Sequence, residues 1–209
     1  MADGRLAPPP PPSIPPTIGP VSGTLEDFAY KGNLAEVKRM LERGADVQSV
    51  ETVAGGYGWS ALNSAAAAGH KDVVALLVRK CANLEATNAH GHTPLHSAAA
   101  RGHIHVVRFI AEIDENYWKG TDEYKHWKKG EGKEKSFEES GLWIATTQYL
   151  DAKSGGKKSR TAAELADAFD HDFVKEFLDQ RHEELEIAEQ RRGGTNKAPP
   201  AEQKGRGKT

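Results

Sequence analysis

The sequence predicts an all-α solenoid of about four helix-turn-helix repeats, with a long insert before the last repeat and disordered termini. Three observations predict it. A nine-residue pattern recurs at an offset of 33. An apolar stripe at helical spacing follows each copy. Of 11 prolines, only Pro94 falls between residues 21 and 198, so helix breakers are confined to the ends.

The two intact copies read Gly58, Trp59, Ser60, Ala61, Leu62, Asn63, Ser64, Ala65, Ala66 and Gly91, His92, Thr93, Pro94, Leu95, His96, Ser97, Ala98, Ala99. The offset persists through Gly69 and Gly102, His70 and His103, Val73 and Val106, Val74 and Val107, and Leu77 and Ile110. An earlier copy lies at an offset of 37, where Leu25 pairs with Leu62, Gly32 with Gly69 and Val37 with Val74. A worn copy lies 68 residues after the third, where Thr161 pairs with Thr93, Ala166 with Ala98, Val174 with Val106 and Leu178 with Ile110. A period of this length means stacked supersecondary units.

Each unit reads as turn, helix, tight turn, helix. Pro94 suits the first helical turn, where its missing N–H costs nothing. Thr93 sits where a hydroxyl caps. Small Ala65, Ala66, Ala98 and Ala99 let neighbouring helices approach closely. Gly69 and Gly102 are expected to end the first helices with positive φ. One unit cannot bury its own apolar face, so stability comes from nearest-neighbour stacking.

This period and motif resemble the ankyrin repeat. Thr93, Pro94, Leu95 and His96 stand as that family's T-P-L-H element, and the resemblance implies a bond from Thr93 to His96. It covers residues 25–112 well and 151–178 weakly. The expected organisation is a Pro-rich disordered arm over 1–22, a repeat domain over 23–192 and a basic disordered tail over 193–209. The repeats fall at about 25–57, 58–90, 91–112 and 151–178. A charged aromatic insert occupies 113–148, and a helical extension follows at 179–192. Departures are expected to cost little: Cys81 stands where Gly44 does, Asn63 replaces the motif His, and Ala163, Glu164 and Asp170 wear the last copy as a terminal cap.

Composition excludes several functions. Net charge is −2, so bulk electrostatics does not drive the chain onto nucleic acid or membrane. One Cys argues for a reducing compartment, cytoplasmic or nuclear, and against a Cys-based zinc cluster. No apolar run suggests a membrane span or a secretory signal. His90, His92, His103 and His105 invite a metal reading, but no Cys or carboxylate spacing accompanies them. No catalytic constellation and no cofactor motif is found, and the chain is read as a non-enzyme.

The function that remains is a protein-interaction adaptor or scaffold, placed by the resemblance among proteins that bind through turn tips and the inner, concave helix face. Mapped onto this chain, the tips are Tyr57, Trp59, His90 and His92, and the inner positions are Ser64, Ser97 and Arg101. Trp118 and Trp127 of the insert are further anchors, since Trp and Tyr dominate hot spots. The proline run at residues 8–12 resembles ligands of SH3, WW or profilin-type grooves. The alternative is a nucleic-acid or ribonucleoprotein accessory. Tyr124, Lys125, His126, Trp127, Lys128 and Lys129 interleave bases and aromatics, and residues 191–209 carry six Lys/Arg against one Glu.

Overall fold

The computed structural model describes residues 23–50, 58–113, 115–118, 147–155 and 159–193. The proline arm, most of the insert, Tyr57, Trp127 and the tail from residue 194 lie outside the described residues. The helices are α1 (Leu25–Tyr30), α2 (Leu34–Glu42), α3 (Ala61–Ala68), α4 (Lys71–Arg79), α5 (Pro94–Ala99), α6 (Ile104–Ala111), α7 (Glu115–Trp118), α8 (Thr147–Leu150), α9 (Ala162–Ala168) and α10 (Asp172–Gly193). Among the described residues no strand forms, and one isolated antiparallel bridge joins Val50 to Ser60.

The first helices of the units stack in one row, α1 on α3 on α5 on α9. The second helices stack in another, α2 on α4 on α6 on α10. Four units therefore form one continuous two-layer array. Between the layers lie Val73, Val74, Leu77, Val106, Val107 and Ile110, each at most 1% exposed. Each such side chain contributes about 1.5–3 kcal/mol by leaving water.

The first helices share one start. Thr24, Ser60, Thr93 and Thr161 are extended, and each hydroxyl accepts from the N–H three residues on. From cap to turn residue the chain runs nine residues in units two to four, 60–69, 93–102 and 161–170. In unit one it runs eight, 24–32. The spacing from cap to turn is thus one residue shorter in unit one, and at its cap Leu25 aligns with Ala61 rather than Leu62. Glu164 is more than wear. Its Oε2 accepts from the Thr161 N–H at 2.9 Å, completing a reciprocal cap.

The turn glycines hold the stack together. Gly32, Gly69 and Gly102 have φ of 70°, 80° and 71°. A histidine of the next unit lies against each. A Cβ on Gly32 would stand 2.6 Å from His70, one on Gly69 2.7 Å from His103, and one on Gly102 2.8 Å from His171. Glycine is required there twice, for φ and for space. The His70 Nε2–H donates to Tyr30 O at 3.0 Å, and the His103 Nε2–H donates to Ala67 O at 2.9 Å. A carbonyl only accepts, so in both rings the proton sits on Nε2.

The end units depart from the pattern where no further unit stands among the described residues. Asn33 takes the histidine position in unit one, where no preceding glycine awaits it. Asp170 takes the glycine position in unit four, at φ 59°, where no later histidine needs the space. The second helices show the same logic. Val73, Val106 and Val174 are buried, and Glu36 stands at their position in unit one. Val37, Val74 and Val107 are buried, and Lys175 stands at their position in unit four. Both charges are paired, Glu36 with Arg39 and Lys175 with Asp167 at 2.7 Å. Charged end faces close a solenoid to further stacking.

Candidate functional site: the row of turn tips

The tip of unit three is built around Asn88, which is buried. Its Oδ1 accepts from the N–H groups of His90 at 2.9 Å and His92 at 3.0 Å. Its own N–H donates to His92 O at 3.0 Å, and its carbonyl accepts from Gly91 at 2.8 Å. Four bonds from one residue fix the loop without help from a ligand.

The tip of unit four does the same with different residues. Ser154 is buried, its N–H donates to Arg160 O at 2.8 Å, and its Oγ accepts from the Arg160 N–H at 3.1 Å. Ser154 thus takes the role of Asn88. It lies seven residues before its cap Thr161, where Asn88 lies five before Thr93, so this tip is two residues longer. The two tips touch through backbone. The Gly155 N–H donates to Gly91 O at 3.3 Å, and a Cβ on Gly91 would stand 2.1 Å from Gly155 N. On the other side, the position of a Gly58 Cβ lies 3.5 Å from Ala89 N. Tips two, three and four form one row.

Below that row, His96 joins unit three to unit four. The Thr93 hydroxyl donates to His96 Nδ1 at 2.8 Å, and the His96 Nε2–H donates to Arg160 O at 3.1 Å. Both ring nitrogens are engaged, so neither is left for a metal. Burial lowers the His96 pKa below its ordinary value. In unit two, Asn63 does related work. Its Nδ2 donates to Ala86 O at 3.0 Å, and its Oδ1 accepts from the Ser97 hydroxyl at 3.2 Å.

Helix α8, from the end of the insert, braces the row. Tyr149 and Leu150 are buried in the core, and the Tyr149 hydroxyl donates to Leu84 O at 3.0 Å. Burial pushes the Tyr149 phenol up. These contacts link the segment before unit four to unit two's closing loop.

The predicted site residues separate into two groups. His90 is exposed, and Trp59, His92 and Arg101 are partly exposed. The His92 ring stacks on His96 with centroids 6.0 Å apart and tilts against His90 at the same distance. Burial, then the charges of His96 and His90, take its pKa down to about 4.

Ser64 and Ser97 belong elsewhere. They are 0% and 4% exposed, because helices α3 and α5 are covered on both sides by neighbouring first helices. They are interior residues and not partner contacts. Trp118 is likewise 1% exposed. Its ring meets Tyr117 edge-on at 5.1 Å, and Tyr117 meets Phe109 at 5.5 Å, so the start of the insert folds back onto α6. Trp118 is core, not an anchor. The nucleic-acid reading rests on residues 124–129 and 191–209, of which only 191–193, the end of α10, are among the described residues.

Comparison with known families agrees with this geometry. The family model for ankyrin repeats, in three copies, matches residues 25–119. Residues 25–119 are ankyrin repeats, which supports an ankyrin-repeat protein. No curated protein matches it. The matched stretch covers units one to three and the start of the insert. A fourth helical unit lies beyond it and stacks on the third, α9 on α5 and α10 on α6. Ankyrin repeats generally mediate protein–protein interaction and are typically non-enzymatic. Among the described residues no helix is long and apolar enough to cross a membrane.

Sequence reasoning missed Asn88 and Ser154, which build the tips rather than decorate them. It also missed Phe173, which is 84% exposed. Its register was available. Phe173 aligns with Ala35, Asp72 and His105, all of them exposed.

Proposed function

We propose that the chain is a non-enzymatic adaptor that holds a protein partner on the row of tips two to four. The observation that carries this reading is the packing of tip on tip, the Gly155 N–H bonded to Gly91 O at 3.3 Å and the position of a Gly58 Cβ 3.5 Å from Ala89 N. It gives a fixed base from which Trp59, His90 and His92 reach solvent. A preorganised surface binds without the entropic cost of ordering its loops. Arg101 follows helix α5 and adds a residue type enriched in hot spots. The exposed, single Cys81 is compatible with a reducing compartment, and the reading places the adaptor in the cytoplasm or nucleus.

The test is co-purification of the full chain from its native cells at moderate salt, with and without nuclease, beside Trp59→Ala and His90→Ala. The expected result is a set of proteins that survives nuclease. Each substitution should weaken their recovery, Trp59→Ala by about tenfold, the effect of a single hot-spot residue. Loss of every partner on nuclease treatment would contradict the proposal, as would full recovery by the doubly substituted chain.

A further inference from the structure

Helix α10 outlasts the array. Its inner side is held as far as Leu185. The Arg181 Nε–H donates to Ala111 O at 3.0 Å, and His182 Nε2 lies 3.1 Å from Asp151 Oδ1. Its outer side has no neighbour among the described elements. On that side Phe173, Gln180 and Ile187 fall at heptad spacing, with Phe173 84% and Ile187 42% exposed. Fourteen residues of helix set the two apolar side chains about 21 Å apart. Between them stand Glu176, Glu183 and Glu184, all exposed.

The charge around this stripe is one-sided. Residues 161–193, to the end of α10, carry ten Asp/Glu against four cations, Lys175, Arg181, Arg191 and Arg192, a net charge of −6. Lys175 is paired with Asp167, and Arg181 is spent on Ala111 O and on Glu184 at 3.0 Å. Arg181 therefore neutralises one carboxylate of the stripe, Glu184, and Glu176 and Glu183 have no ion pair among the described residues.

We infer that the outer face of α10 docks a basic amphipathic helix of a partner protein, with two apolar residues about two heptads apart seated on Phe173 and Ile187. This surface is separate from the row of tips. Charge complementarity selects the occupant. A second copy of this face would set carboxylates against carboxylates. The chain's own residues 194–209 are basic but hold no apolar side chain larger than Pro or Ala, so they cannot cover Phe173 and Ile187.

The experiment uses the full chain and a dye-labelled synthetic helical peptide of about 20 residues. The peptide carries Leu at heptad spacing and Lys at the flanking positions, and a second peptide carries Glu in place of each Lys. Fluorescence anisotropy should show saturable binding of the Lys peptide only. Phe173→Ala should weaken it by about tenfold, with helical circular dichroism unchanged because the ring is exposed. Glu183→Gln with Glu184→Gln should flatten its salt dependence. Equal binding of the Glu peptide, or binding indifferent to Phe173→Ala, would overturn the inference. So would concentration-dependent dimerisation abolished by Phe173→Ala, which would give the face to a second copy. Binding that appears only after Lys197, Lys204, Arg206 and Lys208 are changed to Gln would give it to the tail.

Discussion

Cys81 shows how much one residue in this array tolerates. It takes φ 58° where Gly44 takes 89° in the preceding unit. A Cβ at Gly44 would meet nothing within 4 Å, so the position has room for a side chain and the cost is in the backbone alone. The loop compensates locally: Gln48 donates from Nε2 to Cys81 O at 2.7 Å and accepts at Oε1 from the Asn83 N–H at 3.1 Å. A left-handed non-Gly residue costs about 1–2 kcal/mol, and glycine loses about 0.5–1 kcal/mol through unfolded-state entropy. Cys81→Gly should therefore stabilise the chain by about 0.5–1 kcal/mol in urea unfolding, the difference between those two effects. A destabilised variant would show that the thiol side chain contributes packing this account omits. The turn glycines Gly32, Gly69 and Gly102 were legible in the sequence for the same reason that they matter, a requirement local to one residue. The burial of Ser64 and Ser97 was not, because it is set by helices on both sides that the residue's own neighbours do not reveal.

At the scale of elements, the joint between α5 and α9 is the informative one. His96 reaches across it to Arg160 O, and His92 stacks above. Burial holds the pKa of both rings below the ordinary 6.5, to about 4 for His92. The unfolded chain therefore takes up protons at a higher pH than the folded one. The stability these rings contribute is fully present above about pH 6.5 and is lost as the pH falls towards their folded values. The melting temperature should drop by on the order of 5 °C between about pH 7.5 and pH 5. His96→Asn imitates Asn63 of unit two, so it should still fold, at a cost of about 1 kcal/mol for the altered hydrogen bond. It should also show a smaller drop across that pH range. An unchanged drop would place the pH sensitivity elsewhere. The helices of units one to three could be read directly, since their stripes and caps are local patterns. Unit four was legible as a worn copy only. Its tip is two residues longer, its cap is Thr161 with Glu164 in place of T-P-L-H, and its brace, Tyr149, bonds to Leu84 across 65 residues of chain.

At the scale of the whole molecule, the described array carries ion pairs on both end units and is joined in the middle. Glu36 with Arg39 and Lys175 with Asp167 put charge where a further unit would stack. The glycine–histidine contacts and the row of tips tie each unit to the next. The extension of α10 leaves the array with a second face, acidic and apolar. The organisation that supports the adaptor reading is therefore one rigid row of tips across three units, and it depends on the fourth unit being docked. Tyr149 is central to that docking because its ring is buried and its hydroxyl is bonded. Removing a buried aromatic ring costs about 3–5 kcal/mol, and in a nearest-neighbour stack that loss falls first on the adjoining interface.

Amide hydrogen exchange, mapped by mass spectrometry on the full chain and on Tyr149→Ala, tests this most directly. In the unaltered chain, α9 and the first half of α10 should be protected to a degree comparable with α5 and α6. In Tyr149→Ala, protection should fall in α9, in α10 and in the segment 152–161, while α1 to α4 keep theirs. Fast exchange of α9 in the unaltered chain would contradict a docked fourth unit. Protection of α9 and α10 that is indifferent to Tyr149→Ala would contradict the brace.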